Sequence, residues 1–236
     1  MASTKQTNRN ADVPMIPEER EFRYRLIQAV FRVVFHTICK VRVEGLEKLP
    51  RKGPLIMYSN HLHLFDAPII FSILPVRGTV MAAEKWETNF FLGPLLRAIN
   101  AVFINRGAAD RKAIRTVQTL LERGAIVAIA PEGTRSRTGG LQEGKGGAAL
   151  LASKTGAILA PLVVYGHETW FEDLRHFRRA SVVVRFGDAF RVPPLEGGNK
   201  SQQVADLTQD MMVRLARLLP PAYRGVYRSL VPEDDG

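Results

Sequence analysis

The chain has 236 residues, room for one sizeable domain or a domain with a small appendage, and 46% of them are apolar, enough for a full core. Its 33 basic and 23 acidic residues give a formal charge of +10, which calls for an anionic partner: nucleic acid, a phospholipid surface or a phosphorylated substrate. Cys39, the only cysteine, excludes an intramolecular disulfide, and the lack of about 20 consecutive apolar residues excludes a conventional spanning helix.

Met1 to Pro14 is polar and lacks the apolar run of a secretory signal, so a cytoplasmic protein with peripheral membrane contact is expected. Residues 1–17 read as a mobile terminus. From Glu18 to Ile38, Phe22, Leu26, Val30, Val33, Val34 and Ile38 recur at helical spacing, and Ile27, Phe31 and Phe35 widen that face. Arg25, Gln28, Arg32 and His36 fall on the remaining arc. Such a helix packs on a sheet or lies in a membrane interface; the flanking arginines favour the interface.

Cys39–Val43 reads as a short strand, and 45–53 as a turn-rich link into the apolar run Leu55-Ile56-Met57-Tyr58, a candidate buried strand. That run ends in Asn60-His61-Leu62-His63-Leu64-Phe65-Asp66. In open α/β sheets ligands gather beyond the carboxyl ends of strands, and histidine exchanges protons near neutrality. Five residues apart, His61 and Asp66 would diverge on one helix, so they meet only across a strand-to-helix corner, with Pro68 in the first helical turn and Asp66 or Ala67 as its cap. A capping Asp66 beside a polar loop histidine remains the plainer alternative.

Further strands are expected at Thr79–Ala83, Ala101–Ile104, Ala125–Ala130, Ile158–Val164, with Pro161 marking an edge or bulge, and Ser181–Phe186, which alternates poorly and reads as buried on both faces. Helices are expected at Pro68–Leu74, from an Asp110 cap to Arg123 with Gly124 closing it, at Ala148–Lys154 and at Val204–Leu218. The patch Phe90 to Leu96, interrupted by Gly93-Pro94, reads as too broken for a regular helix and as core or pocket wall. The glycine-rich stretch Arg137 to Gly147, which carries Lys145, reads as a mobile loop able to close over a ligand. The tail beyond Val231 is acidic and reads as loose. No internal repeat, metal-ligand cluster or phosphate-binding glycine loop is present.

The alternation predicts an α/β fold: a largely parallel mixed sheet flanked by helices, with an N-terminal amphipathic helical segment. Residues 1–39 would form the mobile terminus and interface helix, and residues 40–236 the α/β domain. Three strands then end, on one rim, in His61/Asp66, in Arg106 and in Glu132/Arg135. Arginines fixed beside turns suit bidentate phosphate binding, with surface salt bridging as the ordinary alternative for either one.

Taken in order, Asn60 to Asp66, Val102-Phe103-Ile104-Asn105-Arg106, Pro131-Glu132-Gly133-Thr134-Arg135-Ser136 and Ala160-Pro161-Leu162-Val163 resemble the four blocks of the glycerophospholipid acyltransferases, over residues 40–190. Glu-Gly-Thr-Arg-Ser is the most specific single block, and the order and spacing of all four are stronger again. The kind most resembled is the 1-acyl-glycerol-3-phosphate acyltransferases.

The resemblance implies transfer of a fatty acyl group from acyl-CoA or acyl carrier protein, the acyl-donor substrate, to a glycerol hydroxyl, that of lysophosphatidic acid with glycerol-3-phosphate or another lysophospholipid as the alternative acceptor, without cofactor or metal. His61 would be the general base and Asp66 its orienting partner. Arg106 and Arg135 would hold the substrate phosphate, and Glu132, Gly133 and Thr134 would shape the site, a backbone N–H serving the oxyanion. Lys145 resembles a further basic loop residue, and His63 competes with His61 as base. Cys39 lies ahead of the first block and would be structural. Asn105 and Asn100 depart from the family pattern, which commonly has Asp and Gly there. Expected partners are the cytoplasmic face of a membrane, the lysophospholipid and the acyl thioester, with no nucleic acid, because the aromatics cluster in apolar segments instead of interleaving with basic residues.

Overall fold

The computed structural model describes residues 21–90, 92–99, 101–104 and 111–232. In chain order these form α1 (Glu21–Ile38), β1 (Cys39–Glu44), β2 (Leu55–Ser59), α2 (Asp66–Ile73), β3 (Thr79–Ala83), α3 (Leu92–Ala98) and β4 (Val102–Ile104). Then follow α4 (Arg111–Glu122), β5 (Ile126–Ile129), α5 (Gly147–Thr155), β6 (Ile158–Tyr165), α6 (Trp170–Arg175), β7 (Ala180–Phe186) and α7 (Lys200–Leu218). The strands make one sheet in the order β1-β7-β6-β2-β5-β3-β4, parallel throughout except between β6 and β7. The expected α/β fold with helices on both faces is what forms.

The central strand β2 explains its own sequence. Leu55 and Met57 join the core under α1 and α2, while Ile56 and Tyr58 join the core under α4, α5 and α7. Covered on both faces, all four are buried and the strand has no polar alternate positions. β7 differs from expectation: Ala180, Val182, Val184 and Phe186 are buried, while Ser181, Val183 and Arg185 between them are more open, so it is covered on one side only.

Pro161 sits inside the sheet, in β6 between β2 and β7, and so not at an edge. Its carbonyl accepts from the Gly187 amide at 2.9 Å, so the missing N–H faces the β7 side just past the last paired residues, Leu162 and Phe186. Leu162 pairs with Phe186 and Leu159 bridges to Phe190, so one extra residue is accommodated opposite Pro161: the expected bulge lies in the partner segment.

Two other expectations change. Leu92–Ala98 is a regular helix because Gly93 and Pro94 fall in its first turn, where no amide partner is needed, and Asn89 Oδ1 accepts from the Leu92 amide at 2.8 Å. α7 starts at Lys200, four residues earlier than expected, because Asn199 caps it by accepting from the Gln202 amide. α4 closes as expected at Gly124 (φ 81°), whose amide and that of Ala125 return to the Leu121 and Leu120 carbonyls. Residues 1–20 and 233–236, Asp110 and Asn100 lie outside the described residues.

α1 splits its expected broad apolar face between core and surface, while Arg25, Arg32 and His36 of the polar arc stay exposed as expected. Tyr24, Gln28 and Phe35 are the buried positions, and aromatic edges join Tyr24 and Phe31 to Phe71 and Phe35 to Phe65. Gln28 belongs to the packed side, not the polar arc: its Nε2 donates to the Phe71 and Leu74 carbonyls, both at 2.8 Å, satisfying the open end of α2. Phe22, Leu26, Val30 and Val33 are instead more than half exposed. A bulky apolar stripe therefore faces outward while the core is sealed by the other side. Among the described residues no helix is long and apolar enough to cross a membrane.

Candidate active site

The site is built where β2 ends. Asn60 is buried and behaves as an extra strand residue: its Nδ2 donates to the Val164 carbonyl at 2.8 Å and its Oδ1 accepts from the Val164 amide at 2.9 Å. This clamp fixes the chain just before His61. The chain then turns, and α2 begins at Asp66 itself. Phe65 occupies the cap position and Asp66 makes no side-chain cap bond, so neither Asp66 nor Ala67 serves as the cap. Both Asp66 oxygens are aimed at the corner instead. Oδ2 accepts from His61 Nδ1 at 2.8 Å and from the His63 amide at 2.9 Å.

Asp66 is thus sunk and His61 open: their side chains retain 3% and 17% exposure. With Nδ1 protonated toward the carboxylate, His61 keeps the Nε2 lone pair for an incoming proton. Burial alone would raise the Asp66 carboxyl, but the His167, His61 and His63 hydrogen bonds outweigh it, and its pKa lies below the ordinary value.

His63 is not an equivalent competitor. Its ring stands edge-on to Phe65 and His167, its Nδ1 accepts from the Phe65 amide at 3.3 Å, and only its backbone touches Asp66. Desolvation and the neighbouring His167 push its pKa down. His167 is the site residue that sequence reasoning missed. It follows β6 by two residues, is fully buried, and holds Nε2 at 2.7 Å from Asp66 Oδ1. The available signal was its place at the end of a central strand, the same signal that picked out His61.

The turn after β5 supplies the opposite wall. Glu132 is buried, with Oε1 accepting from the His61 amide at 2.9 Å and Oε2 from the Gln142 amide at 3.0 Å and its side-chain amide at 3.4 Å. Burial pushes its carboxyl up, and these donors only partly draw it back. Its oxygens are spoken for, so it shapes the site by holding the His61 backbone. Gly133 adopts φ 70°, and a Cβ there would stand 2.9 Å from Lys145 Nζ, so Lys145 lies directly over this turn. Thr134 and Arg135 are exposed on the same turn, and the Arg135 charge is felt by His63. Arg106 lies outside the described residues.

The loop 137–147 is anchored. Gln142 is tied to Glu132, the Leu141 amide to the Tyr223 carbonyl, the Gly144 amide to Tyr227 Oη and the Lys145 amide to the Pro131 carbonyl. Its glycines serve close approach: a Cβ on Gly144 would meet Met212 at 2.6 Å, and one on Gly146 would meet Val204 at 2.5 Å. This corrects the reading of the stretch as a free lid.

A cavity of about 210 Å³ opens at His61, Asp66, Gly133 and Lys145 and runs between α2 and the sheet to Tyr24 and Gly78. Met57, Ala128, Leu162, Ile70 and Phe71 make its walls apolar. Among the described residues of the patch Phe90 to Leu96, none lines it. No cluster of three metal-ligating side chains exists among the described residues.

Known proteins give the same picture. A family model described as Acyltransferase matches residues 40–165. A 1-acyl-sn-glycerol-3-phosphate acyltransferase of Borreliella burgdorferi is 29% identical over 138 residues, covering 56% of this chain and 54% of that protein. A chloroplastic enzyme of that name from Arabidopsis thaliana is 29% identical over 157 residues, covering 64% of this chain and 43% of its own length. The chain spans about half the length of the curated relatives it matches. The crystal structure of PlsC, a 1-acyl-sn-glycerophosphate acyltransferase from Thermotoga maritima, superposes with a TM-score of 0.61 at 22% identity, covering 83% of this chain and 82% of that one, a likeness of fold. The family model alone takes in more than half the sequence, including the His61–Asp66 corner and the Glu132 turn, and the chain belongs to the acyltransferase family.

Proposed function

We propose that the protein moves a fatty acyl group from an acyl thioester to the free hydroxyl of lysophosphatidic acid, in phospholipid biosynthesis. The observation that carries this reading is the 2.8 Å contact between His61 Nδ1 and Asp66 Oδ2 at the opening of an apolar cavity. A base at the mouth of a greasy slot fits a reaction that joins a polar hydroxyl to a hydrocarbon chain.

In this mechanism His61 Nε2 takes the hydroxyl proton as the oxygen attacks the thioester carbonyl, and Asp66 stabilises the imidazolium that forms. The tetrahedral intermediate collapses with cleavage of the C–S bond, and the thiolate leaves with the proton returned by His61. No side chain becomes acylated; Cys39 is buried and does not line the cavity. The Gly133 amide is bonded to the Ala130 carbonyl at 3.0 Å, so the backbone N–H that serves the developing oxyanion comes from one of its neighbours in the turn, Glu132 or Thr134. Arg135, Arg106 and Lys145 hold the acceptor phosphate, and the acyl chain lies in the cavity. The outward stripe of α1 rests on a membrane surface, from which the lipid acceptor enters.

The names of the relatives favour the 1-acylated acceptor over glycerol-3-phosphate or another lysophospholipid. The test is to supply acyl-CoA or acyl carrier protein with each acceptor and follow thiol release and phosphatidic acid formation. Turnover with lysophosphatidic acid supports the reading, and turnover with glycerol-3-phosphate alone replaces it.

A further inference from the structure

The Asp66 carboxylate sits between two imidazoles. Oδ2 meets His61, and Oδ1 lies 2.7 Å from His167 Nε2. At that distance the ring N–H is aimed somewhat off the line to the oxygen, yet neither Oδ1 nor either ring nitrogen of His167 has another partner among the described residues. Each is therefore the other's only means of satisfaction in a place closed to water: His167 is fully buried and Asp66 nearly so. A buried carboxylate oxygen without a donor is costly, which fixes the protonation of the ring. Nε2 carries its hydrogen toward Oδ1.

Resting on the assignment of His61 as base, we infer that His167 is a positioning residue for the acyl transfer, acting through Asp66. By holding Oδ1 it locks the carboxylate in the rotamer that presents Oδ2 to His61 Nδ1, and so fixes both the tautomer and the direction of the catalytic ring. Without this donor Oδ1 would turn toward the remaining donors of the corner, the His63 amide and His61 itself, and the His61 ring would lose its fixed aim. His167 touches neither acceptor nor thioester, so substrate binding is unaffected. The aromatic edges of His63 and the pinning of Asn60 to Val164 keep the His167 segment in place around it.

The test compares His167→Phe, which keeps the ring volume but removes the donor, with His167→Gln, whose Nε2 can still reach Oδ1. The expected result is a fall of about 10- to 100-fold in kcat for His167→Phe, the range for losing the outer partner of a functional histidine, with KM nearly unchanged. His167→Gln recovers most of that loss, and in an Asp66→Asn background His167→Phe costs little more, because its effect passes through Asp66. Melting curves for all variants show whether the loss follows the folded fraction. Full activity in His167→Phe overturns the inference, as does an equal loss in the Phe and Gln variants. His61→Ala is assayed alongside: if it stays active, the base assignment fails and this inference with it. If His61→Ala is inactive while His167→Phe is fully active, only this inference fails.

Discussion

The amide of His61 donates to Glu132 Oε1 at 2.9 Å across 71 residues of sequence, which fastens the end of β2 to the turn after β5. The His61 carbonyl meanwhile accepts from the Ser136 amide at 2.7 Å, so the same turn grips the residue from both peptide groups. Glu132→Ala strands the His61 and Gln142 amides, at a cost of about 1–3 kcal/mol for each buried group left unsatisfied. A lowered midpoint in chemical unfolding, together with a reduced kcat, is expected. Glu132→Gln, which keeps an acceptor for one of the two amides, should lose less on both measures.

The two sides of α1 should separate stability from membrane contact. Gln28→Leu removes the donor to the Phe71 and Leu74 carbonyls and should cost roughly 1–3 kcal/mol in unfolding free energy. A triple replacement of Phe22, Leu26 and Val30 by Ser touches only the exposed stripe and should leave the unfolding midpoint nearly unchanged. The triple variant should instead release the protein from anionic lipid vesicles in a flotation assay, since binding there scales with buried apolar area.

Gly78 closes the far end of the cavity, its amide donating to Tyr24 Oη at 3.2 Å. A Cβ there would stand 3.2 Å from Met57 Cε, which lines the slot, and 3.7 Å from the Ile126 carbonyl oxygen, so a longer side chain crowds the slot wall at Met57. With acyl-CoA donors of graded length, Gly78→Leu should shift the preferred donor to shorter chains while keeping activity on them. An unchanged length profile would remove the acyl chain from this cavity.

Asp66 should also mark the acid limb of stability. Its pKa is depressed in the folded chain, so on acidification the unfolded chain takes up the proton first. The stabilisation is complete above the unfolded value of about 3.9 and is lost as pH falls through the lower folded value. Unfolding free energies measured from neutral pH down to about pH 2 should fall less steeply for Asp66→Asn than for the unaltered chain.

Much of this site was legible because β2, β4 and β5 are short apolar runs that stop at polar residues, and parallel strands put their ends on one rim. Periodicity could not say which side of α1 faces the core, since both sides carry large apolar groups. The choice is made by Tyr24 and Gln28, a hydroxyl and an amide that find partners in the loop and helix end beneath them. The loop 137–147 misled for a related reason. Glycine signals either freedom or crowding, and only the positions of Met212 and Val204, more than 50 residues away in sequence, show that it is crowding. His167 was hidden because its partner, Asp66, is 101 residues earlier and already explained by His61.

The central claim is that His61, and not His63, removes the acceptor proton. The direct measurement is the rate of phosphatidic acid formation from acyl-CoA and lysophosphatidic acid by His61→Ala and His63→Ala, each checked for an intact melting transition. His61→Ala should lose about 10²- to 10⁴-fold in kcat, the usual worth of a positioned base, whereas His63→Ala, whose ring makes no bond to Asp66, should stay within about tenfold of the unaltered enzyme. Full turnover by His61→Ala, or the larger loss falling on His63→Ala, would contradict the account.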